Sequence, residues 1–375
     1  MDPSIPITAD AFRMSRDGPN VAIEFGGLDG VAVPAGLVSV FVSDRIVVPL
    51  ETARRLLVGV EESLRPHAGR LRAEDAKALT PQGAANATRP GQGPQRPAQD
   101  PSGEKAAQLL RLVGGWGAPH QYERSLRLSE VGLQANRYLL TLNAKDIPGD
   151  PVAQTLAICD QFAMPPAMRE TAAANFTMAK CVHFGFEGDP ASIVCKLYLE
   201  RGIAAEEARR ARTDNRPVLM HLAFKWDLLR DAAVTTRYLW RPFLTAPEIE
   251  ARLDQIYRDG APGSRDVAKA LLRQAIERAP PENLQFLEVE EAENARRSFD
   301  LNVYNAKLQV KDIHSLLQQM REHFGVRPGR FQALYDQIKG MSLGHLAGGV
   351  HRDGKDFFNL YYGAVGLPHF NEALR

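Results

Sequence analysis

Cysteine is scarce. Cys159, Cys181 and Cys195 are too few and too scattered for a disulfide framework or a cysteine-built zinc site. Cys181 and Cys195 could meet across a hairpin, but buried free thiols fit an intracellular chain better. Long apolar runs are missing as well. None approaches the roughly 20 residues of a membrane-spanning helix. Neither sign of charge dominates: 46 lysines and arginines face 45 aspartates and glutamates, a net charge of +1. No basic run marks a nucleic-acid surface. The opening residues, MDPSIPITADAFRMSRDG, lack the charged-then-apolar order of a secretion signal. A cytoplasmic location, with no nucleic acid and no membrane span, is the expectation. What is present is an ordinary globular composition, 44% hydrophobic and 24% charged, in 375 residues, enough for one large domain or two.

Residues 1–66 read as a small ββα unit. Val21–Phe25 and Val38–Val42 alternate apolar and polar, GGLDG (Gly26–Gly30) is a turn cluster, and Ile46–Val48 is a short strand piece. Pro49 opens a helix over Leu50–Leu64, with Leu50, Ala53, Leu56, Leu57, Val60 and Leu64 on one face. The strand around Ser43-Asp44-Arg45-Ile46 resembles that of a small bacterial domain family, and docking onto a protein partner or oligomerisation is one role for it. A plain appendage is the other. Residues 67–104 read as a disordered linker. Its stretch 80–104 holds five prolines, four glycines and no aromatic residue, which leaves nothing to build a core. The main domain is placed at 105–375.

Within that domain five strand pairs alternate with helical stretches. The first is Tyr122–Leu128 with Arg137–Asn143, and the second Cys181–Phe186 with Ile193–Glu200 around an EGDPAS turn (Glu187–Ser192). The third is Val218–Trp226 with Val234–Trp240, and the fourth Arg297–Tyr304 with Ala306–Val310. The fifth is Leu343–Val350 with Phe357–Gly363, joined by His351–Lys355, whose Asp-Gly dipeptide is a hairpin signal. The helices are expected over Glu104–Leu112, Val152–Phe162, Pro166–Asn175, Ile203–Ala211, Pro247–Arg258, Ser264–Arg278, Asp312–Phe324 and Pro328–Ile338. Ten antiparallel strands with helices between the pairs can hide their edges by closing into a barrel. The expected fold is α+β: a ten-stranded antiparallel β-barrel wrapped by helices in five αββα repeats, with a polar lumen.

Alternation along the strands supports that reading. Residues on opposite faces alternate, so Cys195, Leu197 and Leu199 oppose Lys196 and Tyr198. Val182, Phe184 and Phe186 oppose His183, and Leu222, Phe224 and Trp226 oppose His221 and Lys225. Leu126 and Leu128 oppose Arg127. Collected, the second face carries Arg127, Arg137, His183, Lys196, Tyr198, His221, Lys225, Arg237, Asn302, Tyr304, Asn359 and Tyr361. A solvent-facing sheet would show the same pattern. The intervening amphipathic helices favour a lumen, because they must pack on the apolar face and leave the polar face to close on itself.

With CKLYLE (Cys195–Glu200), FFNLYYG (Phe357–Gly363) and the five αββα units, the chain resembles the αββα-repeat (ABBA) aromatic prenyltransferases. That resemblance implies transfer of an isoprenoid from an allylic diphosphate to an electron-rich aromatic acceptor: a small phenol, an indole or a peptide side chain. It implies Arg127, Lys196, Lys225 and Arg237 on the diphosphate, and Tyr198, Tyr304 and Tyr361 around the allylic cation. His183, His221, Asn302 and Asn359 would contact acceptor or phosphate, and Glu123 or Asp300 would take the acceptor's proton. The donor would be dimethylallyl, geranyl or farnesyl diphosphate. No Asp-Asp-x-x-Asp motif is present, so no metal ligands are assigned. No cofactor is expected to be required, and Mg²⁺ is compatible. A ligand-binding or scaffold protein on the same barrel, or another enzyme acting on an anionic substrate, are the alternatives. His351-Arg352-Asp353 reads as turn chemistry.

Overall fold

The computed structural model describes residues 11–17, 20–28, 40–49, 101–189, 191–258, 260–291 and 296–366. The chain divides into two units, Met1–Gln99 and Asp100–Arg375. In the first, β1 (Ala11–Asp17), β2 (Asn20–Leu28) and β3 (Val40–Pro49) form a three-stranded antiparallel sheet in the order β1-β2-β3. The strand Ala11–Asp17 was not expected. The helix expected over Leu50–Leu64 and most of the linker lie outside the described residues. The linker's last four residues are helical instead: α1 spans Pro101–Gly114. Proline at the first helical position has its φ already set and gives up no needed donor, so Pro101 starts the helix.

The second unit is a closed barrel. Its strands are β4 (Gln121–Ser129), β5 (Gly132–Gln134), β6 (Arg137–Asn143), β7 (Ala179–Asp189), β8 (Ser192–Arg201), β9 (Val218–Asp227) and β10 (Ala233–Trp240). They continue as β11 (Gln285–Glu291), β12 (Arg297–Asn302), β13 (Leu343–Val350) and β14 (Asp356–Val365). Each pairs antiparallel with its neighbour, and β14 returns to pair with β4, with Asn359 opposite Arg127 and Tyr361 opposite Ser125. Strands β5 and β6 both pair with β4 along one edge, so together they form one interrupted strand of a ten-stranded ring. This is the αββα-repeat architecture expected from the sequence.

Helices cover the outside: α2 (Pro151–Gln161), α3 (Pro166–Asn175), α4 (Ala205–Thr213), α5 (Ala246–Ile256), α6 (Pro262–Ile276), α7 (His314–His323) and α8 (Pro328–Ile338). Their starts are chemically marked. The Asp150 carboxylate accepts from the Val152 backbone N–H at 2.9 Å beside Pro151, and Glu248 reaches back to the Thr245 backbone N–H at 2.7 Å. On α6, Val267, Ala268, Leu271, Leu272 and Ala275 recur at helical spacing and are buried. They meet Phe299, Leu301, Phe358 and Leu360 on the barrel's outer face. A second cluster packs Leu109, Val113, Leu156 and Ile158 on Val182, Phe184, Phe186 and Leu197. Each such fully buried Phe or Leu contributes roughly 1.5–3 kcal/mol. The apolar core therefore lies between wall and helices, and polar residues face inward. No helix among the described residues is long and apolar enough to cross a membrane.

Two strand assignments need correction. The fourth hairpin is Gln285–Glu291 with Arg297–Asn302, not Arg297–Tyr304 with Ala306–Val310. Tyr304–Ala306 is a 3₁₀ turn followed by Lys307 at φ +50°, and Gln309 makes one isolated bridge to Ser342. Ala306, Leu308 and Val310 are buried against the helices, so their alternation reports one covered face rather than a strand partner. In Gln285–Glu291, Leu287 and Val289 point inward while Glu288 and Glu290 point out, which erases the usual two-face contrast. In the second hairpin the ladder continues past the expected turn to Asp189 and Ser192. The three cysteines are free and buried. Cys181 pairs with Glu200 and Cys195 with Phe186, so the two thiols are not opposite each other.

Gly349 sits at φ +143° where β13 meets β12, and a Cβ there would strike the Arg297 carbonyl oxygen and Ser298 Cα. Gly349→Ala should cost about 1–3 kcal/mol, read as a drop of several degrees in melting temperature. An unchanged Tm would mean that this pairing is looser than described.

Candidate active site in the barrel lumen

The lumen holds two chambers that share Tyr198, Tyr238, Asp300 and Tyr361. One, of about 410 Å³, is basic. The other, of about 130 Å³, is lined by histidine, tyrosine and carboxylate.

In the basic chamber, cations from several strands converge on few carboxylates. Glu187 on β7 accepts from Lys196, which is hydrogen-bonded to it, and from Arg137 at 2.7 Å, with Arg127 at 3.9 Å. Burial would raise the Glu187 carboxyl, but Arg137, Lys196 and Arg127 hold it far below the usual carboxylate range. Arg296 pairs with Glu291 and lies over the Phe357 ring. Lys225 stands directly opposite Lys196 in the ladder and has no salt-bridge partner among the described residues. Its ammonium is 5.4 Å from the Tyr238 ring centroid. Burial, then Arg296 and Lys196, hold Lys225 well below the usual lysine range. Burial and the two neighbouring arginines lower Lys196 to about 8 despite Glu187. Asn359 accepts from Arg137 at 3.3 Å. His351 bonds to Arg127 and stacks on Phe357 at 4.3 Å. Burial with Arg127 and Arg296 beside it drops His351 to about 3, so it stays neutral and accepts. Gly185 makes room here, since a Cβ would press on Lys196 at 3.2 Å.

The second chamber is organised by His345. Its Nδ1–H donates to both Asp300 oxygens at 2.9 Å, and its Nε2–H donates to Glu123 at 3.2 Å. The ring stacks on Tyr361 at 3.9 Å. Burial alone would lower the His345 pKa, but Asp300 and Glu123 reverse this and hold it at about 10, so it is an imidazolium between two carboxylates. Tyr304 donates to Glu123 through its hydroxyl, and Asn302 accepts from the Tyr304 backbone N–H at 3.2 Å. Across the chamber, His183, Glu200 and His221 bring one potential metal-ligand atom each within 4.8 Å of the others.

Twelve of the thirteen candidate site residues line one chamber or the other: Glu123, Arg127, His183, Lys196, Tyr198, His221, Lys225, Asp300, Asn302, Tyr304, Asn359 and Tyr361. Arg237 does not. It is exposed on the outer face, in register with Glu290, while Tyr238 points inward beside His221. The outer face of β10 reaches solvent there, so it carries a cation, and amphipathic Tyr238 takes the lumen. Several lumen residues escaped the sequence. Glu187 was hidden in the expected turn. His345 was hidden by a bulge between Leu343 and Leu346 that turns both leucines outward and His345 inward. Gly344 permits that bulge, because a Cβ there would collide with Glu123 and Tyr304. His351, read as turn chemistry, lines the basic chamber, and Glu200 follows the inward parity of Lys196 and Tyr198.

No protein-family model matches the chain, and no curated protein matches it either. Among solved structures, prenyltransferase PriB in its apo form is 15% identical, with 68% of this chain and 81% of that one aligned, at a TM-score of 0.45. For 5-dimethylallyltryptophan synthase from Streptomyces coelicolor the values are 14%, 68%, 81% and 0.43. For AnaPT from Neosartorya fischeri they are 12%, 66%, 79% and 0.39.

Removing the imidazolium leaves two buried carboxylates facing each other, so His345→Gln should cost about 3–5 kcal/mol near neutral pH. Folding raises the His345 pKa from 6.5 to about 10. Its contribution is therefore complete below pH 6.5 and is lost as pH rises through about 10. The Tm gap between wild type and His345→Gln should narrow over that window. A constant gap from pH 6 to pH 10 would contradict the buried imidazolium.

Proposed function

We propose that the chain transfers an isoprenoid from an allylic diphosphate to an electron-rich aromatic acceptor. The observation that carries this reading is the division of one lumen into a basic chamber and a carboxylate-histidine chamber, joined at Tyr198, Tyr238 and Tyr361. Arg127, Lys196, Lys225 and Arg296 would bind diphosphate oxygens, with arginine suited to bidentate contact. Because these cations supply counter-charge, Mg²⁺ would be optional.

As the carbon–oxygen bond to diphosphate breaks, positive charge develops on the allylic carbon. The three shared tyrosines would face that cation with their rings and keep water away. The smaller chamber is close to the volume that holds a single aromatic ring, so the acceptor would sit there. Its ring carbon forms the new bond, and the resulting arenium ion loses a proton to Asp300, which borders both chambers. His345 and Glu123 would orient Asp300. Diphosphate leaves with the electron pair of the broken carbon–oxygen bond, and the electron pair of the broken carbon–hydrogen bond restores the aromatic ring as the proton passes to Asp300.

The same cations would serve a non-catalytic binder of polyanions or another enzyme acting on an anionic substrate, and the experiment separates these readings. Labelled dimethylallyl, geranyl and farnesyl diphosphates are incubated with phenol and indole acceptors. Arg127→Ala and Lys196→Ala should each weaken diphosphate affinity at least tenfold, about 1.4 kcal/mol, and Arg237→Ala should not. Asp300→Asn should retain affinity and lower turnover by roughly 10²–10⁴. Binding without turnover on any acceptor would favour the binder, and no binding of any donor would end the transferase reading.

A further inference from the structure

The bond-making and proton-transfer steps proposed above use none of one cluster of the smaller chamber. His183 on β7, Glu200 on β8 and His221 on β9 occupy three adjacent strands. Glu200 is directly opposite His221 and one inward step along from His183. His183 Nε2 lies 2.8 Å from the Glu200 carboxylate and His221 Nδ1 lies 3.9 Å from it. From the geometry of these side chains we infer that His183, Glu200 and His221 bind a first-row divalent transition ion such as Zn²⁺.

Three observations carry this. First, His221 Nδ1 is buried and has no hydrogen-bond partner. A buried nitrogen left that way costs about 1–3 kcal/mol, and an ion shared with Glu200 would satisfy it. Second, His183 is set up as a ligand usually is. Its Nδ1 is bonded to Thr141 Oγ1 at 2.8 Å, which fixes the ring. Nε2–H donates to Glu200 at 2.8 Å while Nδ1 accepts from the Thr141 hydroxyl. An ion would replace the Nε2 proton, the ring proton would move to Nδ1, and Thr141 would then accept from it. Third, the histidines are held by aromatic edges, with His221 5.6 Å from Tyr238 and His183 6.1 Å from Tyr198.

Two imidazoles and a carboxylate form the ligand set of open zinc and non-haem iron sites, with the remaining positions left for water or substrate. All three residues line the smaller chamber, so those positions would face the space beside Tyr238. Mg²⁺ prefers an all-oxygen octahedron, so this site would be distinct from any Mg²⁺ held at a diphosphate. The inference does not rest on prenyl transfer. A protein that binds the ion but turns over no allylic diphosphate would keep this site and lose the transferase reading, and the reverse outcome would do the opposite.

The test uses untagged full-length protein stripped with chelator. Co²⁺ is titrated in and followed by its visible absorption, and Zn²⁺ by calorimetry. The expected result is one saturable ion per chain. His221→Ala and Glu200→Gln should each weaken binding at least tenfold while far-ultraviolet circular dichroism is unchanged. Thr141→Val should weaken binding about tenfold, and it keeps the test open if a ligand variant does not fold. Asp300→Asn, in the other carboxylate cluster, should leave Co²⁺ binding intact. The inference is overturned if wild type shows no saturable Co²⁺ absorption. Binding that survives both His221→Ala and Glu200→Gln, or that follows Asp300 instead, overturns it too.

Discussion

Ring closure is the constraint on which the rest of this domain depends. Strand β14 pairs with β4 over most of its length, joining residues more than 200 positions apart. Without that pairing the sheet would have two open edges and its polar face would meet solvent. With it, Asn359 and Tyr361 stand beside Arg127 and Ser125, and the polar face becomes an interior. Such a long-range pairing forms late and slowly in folding, because its loop-closure entropy must be met before its contacts contribute.

Closure inverts the usual arrangement of a small barrel. Helices on the outside provide the apolar partner for Phe186, Phe224, Phe299 and Phe358, so the inside has no need to be apolar. Polar groups inside must then satisfy one another, since water cannot do so freely. The described residues meet that demand with small ionic assemblies. Glu187 serves Arg137 and Lys196, and the His345 imidazolium serves Asp300 and Glu123. These assemblies also divide the lumen into regions of opposite character, one cationic and one carboxylate-bearing.

Much of this was legible in the sequence because period-two alternation survives wherever one face meets helices. Lys196 and Tyr198 between Cys195, Leu197 and Leu199 are the clearest case. The reading failed where alternation is broken or its contrast inverted. A bulge carries His345 inward from a strand written LGHLAGGV, and nothing in single-residue pattern announces it. At β10 a solvated arginine and an inward tyrosine exchange their expected sides. At Ala306–Val310 an irregular segment that buries alternate residues looks like a strand, yet it makes one bridge, because hydrophobic pattern reports burial and not hydrogen-bond partners. Glu187 was missed because turn chemistry at Gly188-Asp189-Pro190 marks where the chain reverses more reliably than where the ladder stops.

The Glu187 carboxylate has a consequence for what can enter the basic chamber. It is a built-in counter-ion, so an arriving anion does not meet bare charge. It competes with a carboxylate that already holds Lys196 and Arg137 and sits within reach of Arg127. For a monoanion that competition is close to an even exchange of one negative charge for another, with desolvation still to be met. A dianion or trianion brings more charge than it displaces and also reaches Lys225, which has no salt bridge among the described residues. On the proposed function, the chamber would therefore favour a polyanion over a monoanion.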